Sequence, residues 1–169
     1  MRIIALFKLL TRLSLLIFSL SIVYSPAAAE NAAKFTLFND KDNLVKLSTL
    51  LEKTNIIVAF WASYCVPCKR EIPQLAEIEK KYGKPKNLKL VLINIDKEGK
   101  VKGLPFLKDI NISNECLFDI YQITIKKYVP DMKIPATFII SKKGDIVFRI
   151  IGESEENIRK LKTAIKEMN

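Results

Sequence analysis

Apolar side chains change their spacing several times along this chain, and each change predicts a new element. Residues 55–61 and 88–95 are nearly continuous apolar runs, as expected of strands that are buried on both faces. Between them, apolar residues recur at helical intervals, which predicts a helix over residues 65–82 that ends before Gly83 and Pro85. A strand, a helix and a strand in this order predict a βαβ unit with two parallel strands.

The rest of the chain continues this alternation on both sides of the βαβ unit. Two short β-rich runs around a polar turn predict a small N-terminal β-hairpin from residues 34–38 and 44–47. The other predicted elements are helices at 48–53 (capped by Ser48), 100–110, 120–128 and 153–168, and strands at 116–118, 136–140 and 146–151. Together they predict an α/β fold, with a mixed central sheet and helices on both faces.

The first 29 residues have the pattern of an export signal. Basic residues precede an apolar run over residues 13–24, and small side chains follow it, which suits cleavage after Ala29. We therefore predict a signal peptide at 1–29, a single domain at 30–169 and a periplasmic location. An uncleaved anchor in the inner membrane is the alternative, although the run is shorter than the roughly 20 apolar residues of a spanning helix.

The positive charge of the chain does not indicate a particular partner. The predicted leader carries three of the 28 basic residues and none of the 18 acidic ones, which leaves a net charge of +7 for residues 30–169. The lysines are scattered, without a long basic run or an aromatic stacking platform, so we expect no nucleic-acid partner. We also expect a monomer.

Two of the three cysteines lie where the first buried strand gives way to the helix. Cys65 falls at the predicted helix N-terminus, where unpaired backbone N–H groups stabilise a thiolate, and Cys68 lies one turn further on. A thiolate at Cys65 can attack a disulfide, and Cys68 can then release the product. Cys116 lies in a short apolar run, and we expect it to be a small buried apolar residue rather than a reactive or intermolecular thiol.

The residues around this pair resemble the active-site segment of thioredoxin-like thiol:disulfide oxidoreductases of the TlpA and ResA type. The run from Phe60 to Pro73 is similar to that family's F-W-A-[ST]-[WY]-C-x-x-C segment and includes, at Glu71 and Pro73, the acid and the proline that follow it. Far downstream, Pro135 stands where the family has a cis-proline that faces the cysteines. The resemblance extends over most of residues 30–169 and implies a thioredoxin-like fold.

The resemblance also implies a role for individual residues. Cys65 is expected to be the exposed nucleophile and Cys68 the resolving thiol, and together they form the redox-active disulfide. Trp61 is expected to shield the pair on the substrate-binding side. A cis Pro135 would leave the backbone of Ile134 free to pair with an extended client segment.

Glu71 has two interpretations. It lies three residues after Cys68 on the same helical stripe, so its carboxylate can take or return the proton of the buried thiol. Spacing alone favours a solvated helix acid beside Lys69 and Arg70. Thioredoxins proper keep a buried acid on the preceding strand, where this chain has Ala59. The resemblance therefore favours Glu71 as the catalytic proton-transfer group.

Export and redox chemistry together predict an exported thiol:disulfide oxidoreductase. The chain has no histidine between its cysteines or anywhere else, and it lacks room for the helical insertion of DsbA-like oxidants. A neighbouring carboxylate also opposes thiolate formation, so we expect a protein-disulfide reductase rather than a disulfide-donating oxidase. Similar proteins reduce cysteines of apocytochrome c or of copper-site proteins, and a membrane electron donor of the DsbD or CcdA type keeps them reduced.

A copper-binding, metallochaperone-like domain is the alternative from another class. Some thioredoxin-fold proteins bind copper through two cysteines and a distant histidine, and this chain contains no histidine. Cys116 or Met132 could supply a third soft ligand for Cu(I), but the spacing does not require one. A binding module whose disulfide merely holds a loop would give the helix-terminal position of Cys65 no purpose. We therefore expect no metal and no other cofactor.

Overall fold

A mixed β-sheet with helices on both faces makes up the computed structural model, which describes residues 30–168. Its strands are β1 (Glu30–Asn31), β2 (Thr36–Asn39), β3 (Leu44–Lys46), β4 (Asn55–Trp61), β5 (Leu88–Asn94), β6 (Cys116–Phe118), β7 (Ala136–Ile140) and β8 (Asp145–Ile151). Its helices are α1 (Leu47–Leu51), α2 (Val66–Lys86), α3 (Lys100–Asp109), α4 (Ile123–Tyr128) and α5 (Glu155–Glu167). The predicted signal peptide and its cleavage site lie outside the described residues.

The strand order across the sheet is β1-β8-β7-β4-β5-β6-β2-β3. Strands β4, β5 and β6 pair in parallel, because α2 and α3 return the chain to the same edge of the sheet between them. The other pairings are antiparallel, including β7 against β4. The predicted βαβ unit and the mixed sheet are therefore confirmed.

Strand β4 is the centre of the core, since helices cover it on both sides. Neighbouring residues on a strand point to opposite faces, and Phe60 and Trp61 show this clearly. The Phe60 ring lies 5.2 Å from the ring of Tyr128 in α4, whereas the Trp61 ring lies 4.9 Å from that of Phe106 in α3. Helices α3 and α4 therefore pack on opposite faces, as the sequence predicted.

The predicted N-terminal hairpin is present as β2 and β3, but it is not merely an extension. The Asn39 side chain shapes its turn by accepting backbone hydrogen bonds from Lys41 and Asn43, each 3.0 Å long. Strand β2 also pairs with β6, with Phe38 opposite Phe118, so the hairpin widens the central sheet. At the other edge, β1 pairs with β8, and this short polar strand was not predicted.

The helix that carries the cysteines is longer than predicted. The expected end before Gly83 is wrong, because both Gly83 and Pro85 lie inside α2, which continues to Lys86. Asn87 ends the helix in a left-handed conformation, with a φ of 45°, and its N–H bonds to the carbonyl of Gly83. Asparagine tolerates this conformation better than most residues and so replaces the expected glycine as the terminator.

Three helix starts also differ from the prediction. Helix α4 begins at Ile123 rather than at residue 120, because the Asp119 carboxylate accepts the Ile123 N–H at 3.0 Å and fixes the first turn there. Helix α5 begins after Ser154, which caps it. Helix α1 begins at Leu47, so Ser48 is not its cap.

In the described part of the chain, no helix is both long enough and apolar enough to cross a membrane.

Candidate active site

The two closely spaced cysteines lie where β4 ends and α2 begins, and a disulfide joins them. Cys65 is the N-cap residue of α2, and its Sγ accepts a 3.2 Å hydrogen bond from the backbone N–H of Cys68. Backbone N–H groups at a helix N-terminus favour negative charge. The position of Cys65 therefore suits a sulfur that becomes a thiolate when the disulfide is reduced.

The two cysteines differ in their access to solvent. Cys65 is 6% exposed and Cys68 is 0% exposed, so Cys65 is the more accessible of the pair. In the disulfide state the expected exposure of Cys65 is nevertheless small, although it exceeds that of Cys68. The flanking side chains of Tyr64 and Val66 are 69% and 67% exposed, so a partner meets these two before it reaches Cys65.

Glu71 is a buried carboxyl group one turn beyond Cys68 on α2. It is 1% exposed, and its Oε1 accepts a 3.1 Å hydrogen bond from Thr137 Oγ1. The pKa of Glu71 is raised to about 7 as the net result of three effects: burial, the largest, raises it, the bond from Thr137 lowers it, and the charge of Glu153 raises it. The alternative of a solvated helix acid is therefore wrong.

The basic residue next to Glu71 is engaged elsewhere. Arg70 donates to Glu153 Oε2 from Nη2 at 2.8 Å and from Nε at 3.1 Å. This ion pair ties the first turns of α2 to the loop before α5, and its Arg70 side chain is mostly exposed whereas that of Glu153 is half-buried. The hydrogen bonds of Arg70 therefore go to Glu153 and not to Glu71.

The carboxyl group of Glu71 lies over the sheet face formed by Ala59 and Thr137. Ala59 of β4 pairs directly with Thr137 of β7, so both side chains point to the same face. Both are buried, and Thr137 binds Glu71. Helix α2 thus supplies a carboxyl group to a face where β4 has Ala59, and its role in proton transfer stays a prediction.

The loop before β7 lies at the same edge of the sheet as the cysteines. The peptide bond between Ile134 and Pro135 is cis, as the resemblance implied. Ala136, the next residue, pairs with Phe60 near the end of β4 that leads to Cys65. The Ile134–Pro135 loop therefore stands beside the segment that carries the disulfide.

Most of the chain matches a known protein family. A family model described as AhpC/TSA matches residues 28–149 of this chain. The chain belongs to the AhpC/TSA family. The thiol-disulfide oxidoreductase ResA of Bacillus subtilis (strain 168) is similar to this family member, with 27% identity over 135 residues, which are 79% of this chain and 73% of ResA.

Solved structures share the fold of this AhpC/TSA-family chain. A thiol-disulfide oxidoreductase from Bacteroides fragilis has a TM-score of 0.67 and 26% identity, and the match covers 79% of this chain and 98% of that one. A candidate thiol:disulfide interchange protein DsbE from Chlorobium tepidum has a TM-score of 0.73 and 23% identity, with 82% and 94% covered. The thioredoxin-like fold, the ResA-type resemblance and the enzyme class of thiol-disulfide oxidoreductase are therefore confirmed.

Trp61 belongs to the core of this family member. It is 0% exposed and packs on Phe106, directly before the turn that carries Cys65. A side chain without exposed surface makes no contact with a client in this conformation. In this conformation the predicted substrate-binding role of Trp61 is therefore wrong. The residue lies in the core, beneath the turn that carries the cysteines.

Cys116 is a free and buried thiol in β6, 2% exposed. Burial raises the pKa of this thiol well above its ordinary value. The prediction that Cys116 behaves as a small apolar residue is confirmed. Among the residues described, no group of three or more histidine, cysteine or acidic side chains is arranged to hold a metal ion.

A buried polar cluster beside the cysteines was missed by the sequence analysis. Asp96 and Asn94 are 3% and 0% exposed, and the Asp96 carboxylate binds both the N–H and the hydroxyl of Ser63. The available signal was a polar pair at the carboxyl end of an otherwise apolar strand. In parallel sheets this is the end at which functional groups collect.

Proposed function

We propose that this protein is an exported reductase of disulfides in client proteins. The observation that carries the proposal is the arrangement of three residues on α2: Cys65 at the helix N-cap, which is the more accessible cysteine, the fully buried Cys68, and the buried Glu71 of raised pKa one turn beyond. The enzyme class of the relatives supports the same chemistry. In this proposal Cys65 attacks the client disulfide, Cys68 releases the client, and Glu71 accepts and returns the proton of the Cys68 thiol.

The reaction begins with the reduced protein. The Cys65 thiolate attacks one sulfur of the client disulfide, so a bond forms between Cys65 and the client while the client's own disulfide breaks. The departing client sulfur leaves as a thiolate and takes up a proton. Cys68 then attacks the Cys65 sulfur, which closes the Cys65–Cys68 disulfide and releases the second client sulfur. Two electrons pass to the client, which leaves with two thiols.

Glu71 is proposed as the general acid–base group for the second step. Cys68 has no exposed surface, so water does not readily take its proton. A carboxyl group with a pKa of about 7 is partly ionised at neutral pH and can accept that proton when Cys68 attacks. The same proton can pass to the leaving client thiolate, which restores the carboxylate.

Client binding is proposed at the loop beside the disulfide. Pro135 is buried and has no N–H, whereas Ile134 is half-buried and offers its backbone to an extended client segment. The exposed side chains of Tyr64 and Val66 add apolar surface on either side of Cys65. A client strand laid along Ile134 would bring its cysteine towards the sulfur of Cys65.

The predicted signal peptide supports a periplasmic location, with clients such as apocytochrome c or copper-site proteins. A membrane electron donor of the DsbD or CcdA type would return the Cys65–Cys68 disulfide to thiols. The reducing direction is supported by the absence of histidine from the chain and by the carboxyl group of Glu71, which disfavours a nearby thiolate. The monomeric state remains part of the same proposal.

The proposal is tested by trapping clients in the cell. In the Cys68→Ala variant the second step is blocked, so clients stay attached to Cys65 through a mixed disulfide that a reductant releases. Mass spectrometry of the released proteins names the clients. The matched control is Cys65→Ala, which retains a cysteine in the motif but lacks the proposed nucleophile. Adducts that are absent from Cys68→Ala, or equally abundant in Cys65→Ala, would overturn the proposal.

A further inference from the structure

We infer that Asp96 is a positioning residue that holds Cys65 through Ser63, an inference that rests on the proposed function. Asp96 follows β5 and is 3% exposed. Its Oδ2 accepts a 2.9 Å hydrogen bond from the Ser63 backbone N–H, and its Oδ1 accepts a 3.1 Å bond from the Ser63 hydroxyl. Ser63 lies two residues before Cys65, so both bonds act on the turn that carries the sulfur.

Asp96 is itself held rigidly by Asn94. The Asn94 side-chain amide donates to Asp96 Oδ2 at 2.7 Å, and the Asp96 N–H donates to Asn94 Oδ1 at 3.2 Å. Gly103 of α3 lies so close that a Cβ there would be 3.1 Å from Cγ of Asn94. The close approach of α3 therefore fixes the Asn94 amide, and through it the orientation of the carboxylate.

The remaining bonds of the turn leave Ser63 dependent on Asp96. The N–H of Cys65 bonds to the carbonyl of Ala62 at 3.1 Å, which closes the turn locally. The N–H of Ile95 bonds to the carbonyl of Trp61 at 2.9 Å, which ties the end of β4 to the end of β5. Between these two attachments, the bonds from Ser63 to Asp96 are the ones that anchor the turn to the sheet.

The chemistry of the carboxylate suits this task better than that of an amide. Three donors converge on Asp96: the Ser63 N–H, the Ser63 hydroxyl and the Asn94 amide. A carboxylate offers two acceptor oxygens, whereas asparagine offers one and would turn an NH₂ group towards a donor. Burying a charge is costly, and within residues 30–168 Asp96 forms no salt bridge. The three bonds offset the free-energy cost of burying the Asp96 charge, and they keep the Cys65 sulfur in place for its attack on a disulfide.

The test compares Asp96→Asn with a matched control, Asp119→Asn. Asp119 is also 3% exposed and also binds backbone N–H groups, those of Ile123 at 3.0 Å and Ile125 at 2.8 Å, but it caps α4 and not the cysteine turn. The rate at which each reduced protein reduces oxidised glutathione is measured at about pH 9.5, which is above the ordinary thiol pKa of about 8.5. Any effect of the lost charge on thiol ionisation is thereby minimised.

We expect Asp96→Asn to slow this reaction about tenfold, because small displacements of a reacting group are costly, and Asp119→Asn to stay within twofold of the wild type. Ser63→Ala should slow it about threefold, and Ser63→Thr, which keeps the hydroxyl, should restore the rate. Equal slowing by both aspartate variants, or a rate within twofold of the wild type for Asp96→Asn, would overturn the inference.

Amide hydrogen exchange separates this inference from the proposed function. In Asp96→Asn, the Ser63 and Cys65 amides should exchange at least about tenfold faster, while the interior of β4, represented by Val58, keeps its protection. Unchanged exchange at Ser63 would overturn the inference whatever the rates show. If the wild type itself fails to reduce glutathione and client disulfides, the proposed function fails, and amide exchange alone then decides whether Asp96 holds the turn.

Discussion

Thr137 Oγ1 donates a 3.1 Å hydrogen bond to Oε1 of Glu71, and this bond joins the cysteine helix α2 to strand β7. Both residues are buried, at 0% and 1% exposure. Burial favours the protonated acid and has the largest effect, the bond from Thr137 favours the carboxylate, and the charge of Glu153 again favours the acid, so that the pKa is about 7. Glu71 therefore changes its charge close to neutral pH, which makes its proposed role directly measurable.

Replacing Glu71 by glutamine should slow disulfide exchange by about 100-fold above pH 7, because Cys68 loses its proton acceptor. The wild-type rate should rise with pH through a midpoint near the Glu71 pKa of about 7, and this limb should be missing from the variant. Stopped-flow reduction of a disulfide-linked peptide measures both. Glu77→Gln is the matched control, since Glu77 lies exposed on the same helix. Activity of Glu71→Gln within threefold of the wild type contradicts the role.

The same carboxyl group should make stability depend on pH. Its pKa rises from 4.5 to about 7 on folding, so between these values the folded protein binds more protons than the unfolded chain. Stability is therefore highest below about pH 4.5 as far as Glu71 is concerned, and it falls as pH rises through about 7, by up to about 3 kcal/mol in total. Urea unfolding of wild type and Glu71→Gln at about pH 5 and about pH 8 isolates this contribution. A difference that changes by less than about 1 kcal/mol is inconsistent with the buried acid.

Thr137→Val should move the midpoint of the rate profile upwards by about one pH unit. Valine keeps the shape of the side chain but removes the hydrogen bond that stabilises the carboxylate, and such bonds contribute about 1 to 2 kcal/mol. Thr137→Ser keeps the hydroxyl and should leave the midpoint unchanged. The pH dependence of the exchange rate is the measurement, and a downward movement in Thr137→Val would refute the assigned direction.

Replacing Glu153 should shift the midpoint of the rate profile in the opposite direction, towards lower pH. Its negative charge raises the pKa of Glu71, so Glu153→Gln should lower the midpoint, by about half a pH unit at this partly screened site. Opposite shifts in Thr137→Val and Glu153→Gln identify Glu71 as the titrating group. Shifts of the same sign would mean that another group controls the profile.

The central strands could be predicted because burial on both faces leaves a continuous apolar run. The run at 55–61 coincides with β4, and the run at 136–140 coincides with β7. Element ends were predicted less well, because single side chains fix them. Asn87 ends α2 beyond a glycine and a proline that suggested an earlier stop, and Asp119 delays the start of α4.

The candidate site was predictable where its residues are close in sequence. Two helical turns contain Cys65, Cys68 and Glu71, so spacing and resemblance together were enough to predict that they form one site. The environment of Glu71 could not be predicted in this way, because its hydrogen-bond partner, Thr137, lies 66 residues further on. The hydrogen bonds between Asp96 and Ser63 likewise join residues that are 33 positions apart. These residues meet because β4 and β5 pair in parallel.

The reduction potential of the Cys65–Cys68 pair tests the central claim most directly. Equilibration of the purified protein with defined mixtures of reduced and oxidised glutathione gives this potential. A reductase should lie nearer the value of thioredoxin, about −270 mV, than that of DsbA, about −120 mV. A potential close to the thioredoxin value supports reduction of client disulfides, whereas one close to the DsbA value contradicts it and makes the protein a disulfide donor.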